Sequence, residues 1–460
     1  MIGIIGAGPS GLALGLFLKD AHELLESTDQ VGGHASSFME QGFTFDYGPH
    51  ILFSRDQKIL DFIVATLGEN VNQCRRNNKI SFKDKLIKYP FENDLHALPL
   101  EDNFECIRDF IFNSNQQRFP APKNMREWFL KTFGDGICSK YLFPYNEKIW
   151  NIPVEQLSMA LADRIPKPLA EDILRSSLGF STEGYLHQLY YHYPKSGGYQ
   201  AICNSWKKAQ AITYQFTVKR IQITKPGRIR VIDASGHARE YSRIVSTMPV
   251  HELIDTLDCV IPEHIQDAID KLIVNPMFVI SFGIRGVDPN QYTAVYFPEA
   301  EFWVNRISYP GTFSSENAPL GHWSLQAEIT CAKHSALWDK TVAEILAHTK
   351  QGLQQRGLLP ADDRIVLERV DRIERSYIVY DVGYEDHANM VREWFSTLGI
   401  DLLGRFGFFE YINIDMAVDR AIKLAIKLNN DHGDLEQLAT DYLARALNTI
   451  NSDMMHMNLK

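Results

Sequence analysis

The amino-acid sequence predicts an α/β protein, in which a discontinuous Rossmann-like dinucleotide-binding domain is joined by a helical substrate domain and an antiparallel β-sheet domain. Three observations predict this. Residues 1–35 run strand, glycine turn, helix, strand, acid, which is a complete dinucleotide-binding unit. Residues from about 95 to 190 are mostly helical in pattern, and strand patterns recur from about 275 to 375. At 460 residues the chain is long for one core, so two or three domains are expected.

Each element of the first unit has a physical task. Met1-Ile2-Gly3-Ile4-Ile5 is a short apolar run, followed at once by Gly6-Ala7-Gly8-Pro9-Ser10-Gly11 and the helical pattern Leu12 to Leu18. Gly6 makes the tight turn, Gly8 admits a pyrophosphate to the backbone, and Gly11 lets helix and strand approach. The helix start at Pro9 and Ser10 offers unpaired N–H groups and partial positive charge to phosphates. Leu24-Leu25 is the second apolar run; Glu26, with Ser27 beside it, is placed to accept hydrogen bonds from a ribose. Val31-Gly32-Gly33-His34-Ala35-Ser36-Ser37 then resembles the second glycine pair of FAD-binding oxidoreductases of the amine-oxidase and mutase superfamily. That resemblance implies FAD rather than NAD, with Gly33, His34 and Ala35 at the cofactor. A signal peptide is rejected, because no basic residue precedes Lys19 and the apolar run carries the phosphate-loop glycines.

Composition narrows the function classes. Hydrophobic content is 45% and charged content 23%, ordinary for a globular protein. The net charge of −10 disfavours nucleic acid or an anionic membrane as partner, while a local arginine pocket leaves an anionic small substrate open. No apolar run reaches membrane-spanning length. Cys74, Cys106, Cys138, Cys203, Cys259 and Cys331 are scattered without a CxxC pair, so free thiols in a reducing cytoplasm, and no metal site, are expected.

Further along, Gly42 to His50 is expected to be a strand ending in a tight turn, and Ile80 to Phe91 a hairpin with Lys83-Asp84-Lys85 at its tip. Asn124 to Phe133 and Val154 to Ala162 are expected helices. Tyr185 to Tyr193 is densely aromatic, and Ser196-Gly197-Gly198 marks a break. Phe216 to Ile232 alternates like strand, Arg243 to Pro249 is a buried strand entering a loop, and a long helix runs from about Asp415 to Leu428. The FAD-binding domain is therefore assigned to 1–75, 196–250 and 400–460, the helical domain to 76–195 and the sheet domain to 251–399. No internal repeat is present.

Several motifs in order resemble the UDP-galactopyranose mutase family, closest to its eukaryotic-type branch. They are Phe45-Asp46-Tyr47-Gly48-Pro49-His50-Ile51-Leu52-Phe53-Ser54, Tyr89-Pro90-Phe91-Glu92-Asn93, Pro144-Tyr145-Asn146-Glu147-Lys148-Ile149-Trp150, Val245-Ser246-Thr247-Met248-Pro249, and Gly404-Arg405-Phe406-Gly407 with Tyr411. The resemblance implies a FAD-dependent nucleotide-sugar mutase that interconverts pyranose and furanose forms of a UDP-hexose, UDP-galactose first. It implies reduced flavin N5 as nucleophile, with no net redox change and NAD(P)H as a candidate reductant. It implies that Tyr47, Gly48, Pro49 and His50 lie against the flavin, and that Arg405, Asn413, Asp415 and Met416 lie beneath it. It implies that Arg164 and Arg306 clamp a diphosphate, where a planar, permanently charged fork suits phosphate oxygens. Tyr377 and Tyr411 would donate hydroxyls to the same diphosphate, and Asn146 and Trp150 would face the nucleotide and sugar. His50, Arg164, Arg306, Tyr377 and Tyr411 are thus the expected catalytic set; a homo-oligomer is compatible with all of this.

The pattern also departs from the family. Tyr377-Ile378-Val379-Tyr380-Asp381 replaces the usual Tyr-Pro-x-Pro turn, Asp415-Met416-Ala417 replaces a Gln-Asp type opening, and one residue is missing between Trp150 and Arg164. The sugar contacts are therefore open, with Lys195 and Tyr190-Tyr191-His192-Tyr193 as candidates to line the pocket against a core role. Two rivals share the same N-terminal motifs. One is a FAD oxidoreductase of the amine-oxidase or protoporphyrinogen-oxidase type; the other is a non-enzymatic FAD-binding protein. Paired arginines favour the mutase.

Overall fold

The computed structural model describes residues 1–165, 167, 169–183, 189–225 and 227–457. A five-stranded parallel sheet forms the first layer, in the order Ile400–Leu402, Arg243–Ser246, Ile2–Ile5, His22–Leu25, Ile212–Thr213. Its strands come from three separated stretches of chain, as a discontinuous Rossmann-like unit requires. Parallel strands buried on both faces are near-continuous in apolar residues, and Ile2–Ile5 is buried throughout. The helix Pro9–Phe17 covers one face and packs beside Ile414–Leu428. Val418, Ala421, Ile422 and Ala425 of the second helix share a core with Leu12, Ala13 and Leu16 of the first, one apolar stripe at helical spacing.

The second large sheet has seven strands: Ile365–Ile378, Val274–Arg285, His322–Thr330, Arg306–Ser308, Ala294–Tyr296, Asn78–Phe82, Lys85–Lys88. All neighbours are antiparallel except Ala294–Tyr296 with Asn78–Phe82, which are parallel. The hairpin turns at Lys83 and Asp84, both with positive φ (+46° and +64°), which matches the twist of the flanking strands. The helix Val342–Gln355, opened by a Thr341–Glu344 capping box, supplies Ile345 and Leu353 to the core on this sheet.

The segment between the two sheets is helical: Leu100–Ile111, Met125–Ile137 with Asn124 as its cap, Phe143–Trp150 and Ala170–Ser177. Val154 to Ala162 is not one helix. Two short 3-10 turns, Val154–Gln156 and Met159–Arg164, are interrupted where Leu157 bridges Asp381 and the Ser158 N–H donates to the Tyr380 carbonyl at 2.7 Å. Tertiary hydrogen bonds there replace the helical ones.

Tyr190–Tyr193 is a strand paired with Asn72–Arg75, and Tyr191 and Tyr193 are core residues. Tyr185 lies outside the described residues. Lys195 is exposed. Gly197 and Gly198 make the break with positive φ (+80° and +64°). Among the described residues no helix is long and apolar enough to cross a membrane.

Candidate active site

A cavity of about 890 Å³ runs between the two sheets, inside the size range of ligand sites. One end is the glycine groove. Gly6 has φ +100°, and Gly33, with φ +52°, faces Gly8 across a turn held by the Gly32 N–H on the Ala7 carbonyl at 3.0 Å. A Cβ on Gly8 would meet nothing closer than 3.8 Å, so the glycine keeps a groove open rather than a packing contact. A Cβ on Gly11 would lie 2.0 Å from the Gly6 carbonyl; Gly11 is a packing residue and does not line the cavity. Gly6, Gly8, Pro9, Ser10, Glu26, Ser27, Gly33, His34 and Ala35 all line it.

Glu26 is committed locally. Its Oε2 accepts the Ala7 N–H at 2.8 Å, and its Oε1 accepts the Thr28 N–H at 3.0 Å and the Thr28 hydroxyl at 2.9 Å. The acid fastens the glycine turn to the second strand and presents its edge to the cavity. Phe216, Thr217 and Val218 stand beside it on the wall, unnoticed in the sequence because they lead into a strand, Val218–Lys225, far along the chain.

The far end is cationic and aromatic. The rings of Tyr377 and Tyr411 stack at 5.8 Å, and Trp150 meets both edge-on at 5.9 and 5.4 Å. Two guanidiniums enclose the Tyr411 ring, Arg164 at 4.5 Å and Arg405 at 4.0 Å from its centroid, within cation–π range. Arg164 also donates to the Tyr411 carbonyl, and the Tyr380 hydroxyl accepts the Tyr411 N–H at 2.7 Å.

Arg306 sits in register opposite Glu328 and forms a two-pronged pair with it, Nε to Oε2 at 2.7 Å and Nη2 to Oε1 at 2.9 Å. Glu328 is 1% exposed; burial raises its pKa and Arg306 opposes the rise. The pair aims the guanidinium, leaving the Nη1 donors for a ligand. Burial raises the Tyr377 phenol well above its usual range, so it stays a donor.

His50, Arg164, Arg306, Tyr377, Tyr411, Arg405, Tyr47, Gly48, Pro49 and Asn413 all line this one cavity. Asn146 and Trp150 do not. Asn146 donates to the Leu142 carbonyl at 2.7 Å and accepts the Trp150 indole N–H at 3.2 Å, so its amide is spent on its own helix. Trp150 acts one layer back, supporting the two tyrosines. Asp415 and Met416 are absent from the lining while Asn413, Ile414 and Ala417 are present; helical periodicity turns 415 and 416 to other faces.

The sequence reading missed Arg76, Asn78, Tyr199, Tyr296, Ser308 and Glu328, which also line the cavity. The signal for two of them was the polar run Arg75-Arg76-Asn77-Asn78 entering an apolar hairpin. A second cavity of about 450 Å³ shares Arg76 and Asn78 and adds Arg75, Lys79 and Lys88. Buried His50 Nδ1, Arg76 Nε and Nη2, Asn78 Oδ1, Ser308 Oγ and Arg405 Nε have no hydrogen-bond partner among the described residues. Buried polar atoms are seldom left so, and the five residues that carry these six atoms all line the one cavity, which fits a polar ligand there.

Both histidines of the cavity are held neutral. Burial, then the Arg405 charge, pushes His50 down to about 3, and burial pushes His34 down to about 4. His50 stacks on Tyr199 at 5.2 Å, so its ring is positioned rather than charged. An unfolded histidine takes a proton below about pH 6.5. The folded His50 does not, so stability falls as pH drops through that value. Between pH 7 and 5 the wild type is expected to lose about 2 kcal/mol more unfolding free energy than His50→Gln. Urea melts at the two pH values check this; equal losses would show a solvated ring.

Comparison with known proteins gives one family match and several similar folds. Residues 4–65 match the NAD(P)-binding Rossmann-like domain. In fold the chain is similar to a crystal structure of reduced UDP-galactopyranose mutase, with TM-score 0.85, 24% identity, and coverage of 97% of this chain and 98% of that one. It is similar also to a putative protoporphyrinogen oxidase from an Exiguobacterium species, with TM-score 0.73, 19% identity and coverage of 94% and 99%. The fold is the one these two solved structures share. Within it the chain resembles UDP-galactopyranose mutases in sequence. It is 29% identical to that of Mycoplasma pneumoniae over 184 residues, 37% of this chain and 45% of the relative. The match thus spans less than half the length of this curated relative.

Proposed function

We propose that this chain is a FAD-dependent nucleotide-sugar mutase that interconverts the pyranose and furanose forms of a UDP-hexose, with UDP-galactose the first substrate to test. The observation that carries this reading is the charge of the far end. Arg164, Arg306 and Arg405 line it around Tyr377 and Tyr411, where the lining carboxylate is Glu328, paired with Arg306. Three guanidiniums against one carboxylate attract a diphosphate and repel a cationic amine, so the amine-oxidase alternative fits this pocket poorly.

The residues present fit FAD. Gly6, Gly8, Pro9, Ser10 and Gly33 would hold its pyrophosphate, Glu26 and Ser27 its ribose, and His34, Ala35, Tyr47, Gly48, Pro49, His50, Arg405 and Asn413 its ring system. When bound in reduced form it would supply a nucleophilic N5 at the anomeric carbon of the sugar. The chain supplies position and charge. Arg164 and Arg306 would neutralise the diphosphate as it leaves and keep it for recombination. Tyr377 and Tyr411 would donate hydroxyls to it. Neutral His50 would orient its neighbours without adding charge. The basic second cavity is a candidate to admit NAD(P)H as reductant.

The test is conversion of UDP-galactofuranose to the pyranose form by the purified protein, before and after dithionite. Turnover only after reduction is expected. No turnover in either state, with a flavin bleached instead by an amine or a porphyrinogen, would establish the oxidoreductase.

A further inference from the structure

Lys148 lies in the Pro144 to Trp150 motif, two residues before Trp150. Its ammonium is closed inside a curled loop. Nζ lies 2.8, 2.8, 2.6 and 2.7 Å from the carbonyl oxygens of Phe297, Glu299, Phe302 and Val304, and its three N–H donors are shared among the four. Burial pushes this lysine down to about 7, while four converging carbonyl dipoles favour the charged form.

The loop is anchored on its other side. The Trp303 N–H donates to His348 Nε2 at 3.1 Å, the two rings stack at 3.7 Å, and Phe302 fills the space over Gly352. The loop leads directly into Arg306, and the helix that carries Lys148 ends in Trp150, which backs Tyr377 and Tyr411.

We propose that Lys148 is a positioning residue, its caged ammonium locking the Arg306 strand to the Trp150 helix and so setting the width of the anion clamp. This rests on the diphosphate-binding reading above. The shape of the cage also requires a compact cation: an arginine fork is planar and cannot seat among four converging oxygens.

The experiment compares wild type, Lys148→Ala, Lys148→Met and Lys148→Arg as flavin-loaded proteins. UDP affinity is read by titration, and hydrogen exchange is read at residues 297–305. In the alanine variant the UDP dissociation constant is expected to rise about 100-fold, the scale of a displacement near 1 Å, with faster exchange in the loop. Added n-propylammonium is expected to restore both by at least about ten-fold, and n-propanol to restore neither. Arginine is expected to fail like alanine. If alanine does not fold, the methionine variant, which keeps the aliphatic stem, gives the same affinity and exchange readings without the amine.

A variant whose UDP affinity stays within about two-fold of wild type, or equal rescue by propanol, would overturn the proposal. If wild type itself ignores UDP, the diphosphate reading fails instead. Cation-specific recovery of loop exchange would then still establish the cage, so the two failures are told apart.

Discussion

Arg306→Ala is expected to weaken UDP binding about 100-fold and to lower kcat/KM for UDP-galactofuranose by a similar factor. The reason is the pairing across the sheet. Arg306 spends Nε and Nη2 on Glu328, which is buried at 1% exposure. Removing the guanidinium deletes the attraction for phosphate and also leaves a bare carboxylate beside it. Breaking such a buried pair from one side costs about 3–5 kcal/mol, so the melting temperature is expected to drop as well. The double variant Arg306→Ala/Glu328→Gln separates the two effects: it should recover stability while affinity stays poor. Arg306→Lys keeps the charge but loses the fork, and should recover only part of the affinity. Calorimetric titration with UDP checks all four proteins. An alanine variant that binds UDP like wild type would remove the diphosphate clamp from the account.

Gly8→Ala and Gly11→Ala are expected to fail in different ways. A methyl at Gly8 touches no protein atom within 3.8 Å, so the chain should fold with its stability intact. It should emerge colourless, because the methyl occupies the approach to the pyrophosphate. A fall in FAD affinity of at least about 100-fold is expected, near 3 kcal/mol. A methyl at Gly11 would sit 2.0 Å from the Gly6 carbonyl, so the helix must move off the strand. That variant should lose both flavin and stability, by roughly 1–3 kcal/mol or more. Flavin content and melting temperature, measured together, distinguish the cases. A fully yellow Gly8→Ala protein would show that the pyrophosphate does not pass over Gly8.

The legible parts of the site are those made by neighbours along the chain. The groove at Gly6, Gly8 and Gly33 and the acid at Glu26 come from one strand–helix–strand passage, and turn chemistry at Lys83-Asp84 placed a hairpin. The illegible parts depend on partners brought in from afar. Arg76 and Asn78 look like a solvated turn until Asn78–Phe82 pairs with Ala294–Tyr296 and turns them inward. Val154 to Ala162 has a helical pattern, but bridges to Tyr380 and Asp381 break it. Asn146 was expected at the ligand and instead bonds within its own helix.

By itself the sequence determined that the chain builds a dinucleotide groove on a parallel sheet, and that arginines and tyrosines accompany it. Glycine turns, helix starts and apolar periodicity act over a few residues, so their physics is written locally. Only the tertiary structure decided that Arg306 is aimed by Glu328, that Tyr411 is held between Arg164 and Arg405, and that Lys148 closes a carbonyl cage. Those arrangements depend on charges desolvated together by strands and loops distant in sequence, and pairing energy of that kind exists only once the layers have closed around it.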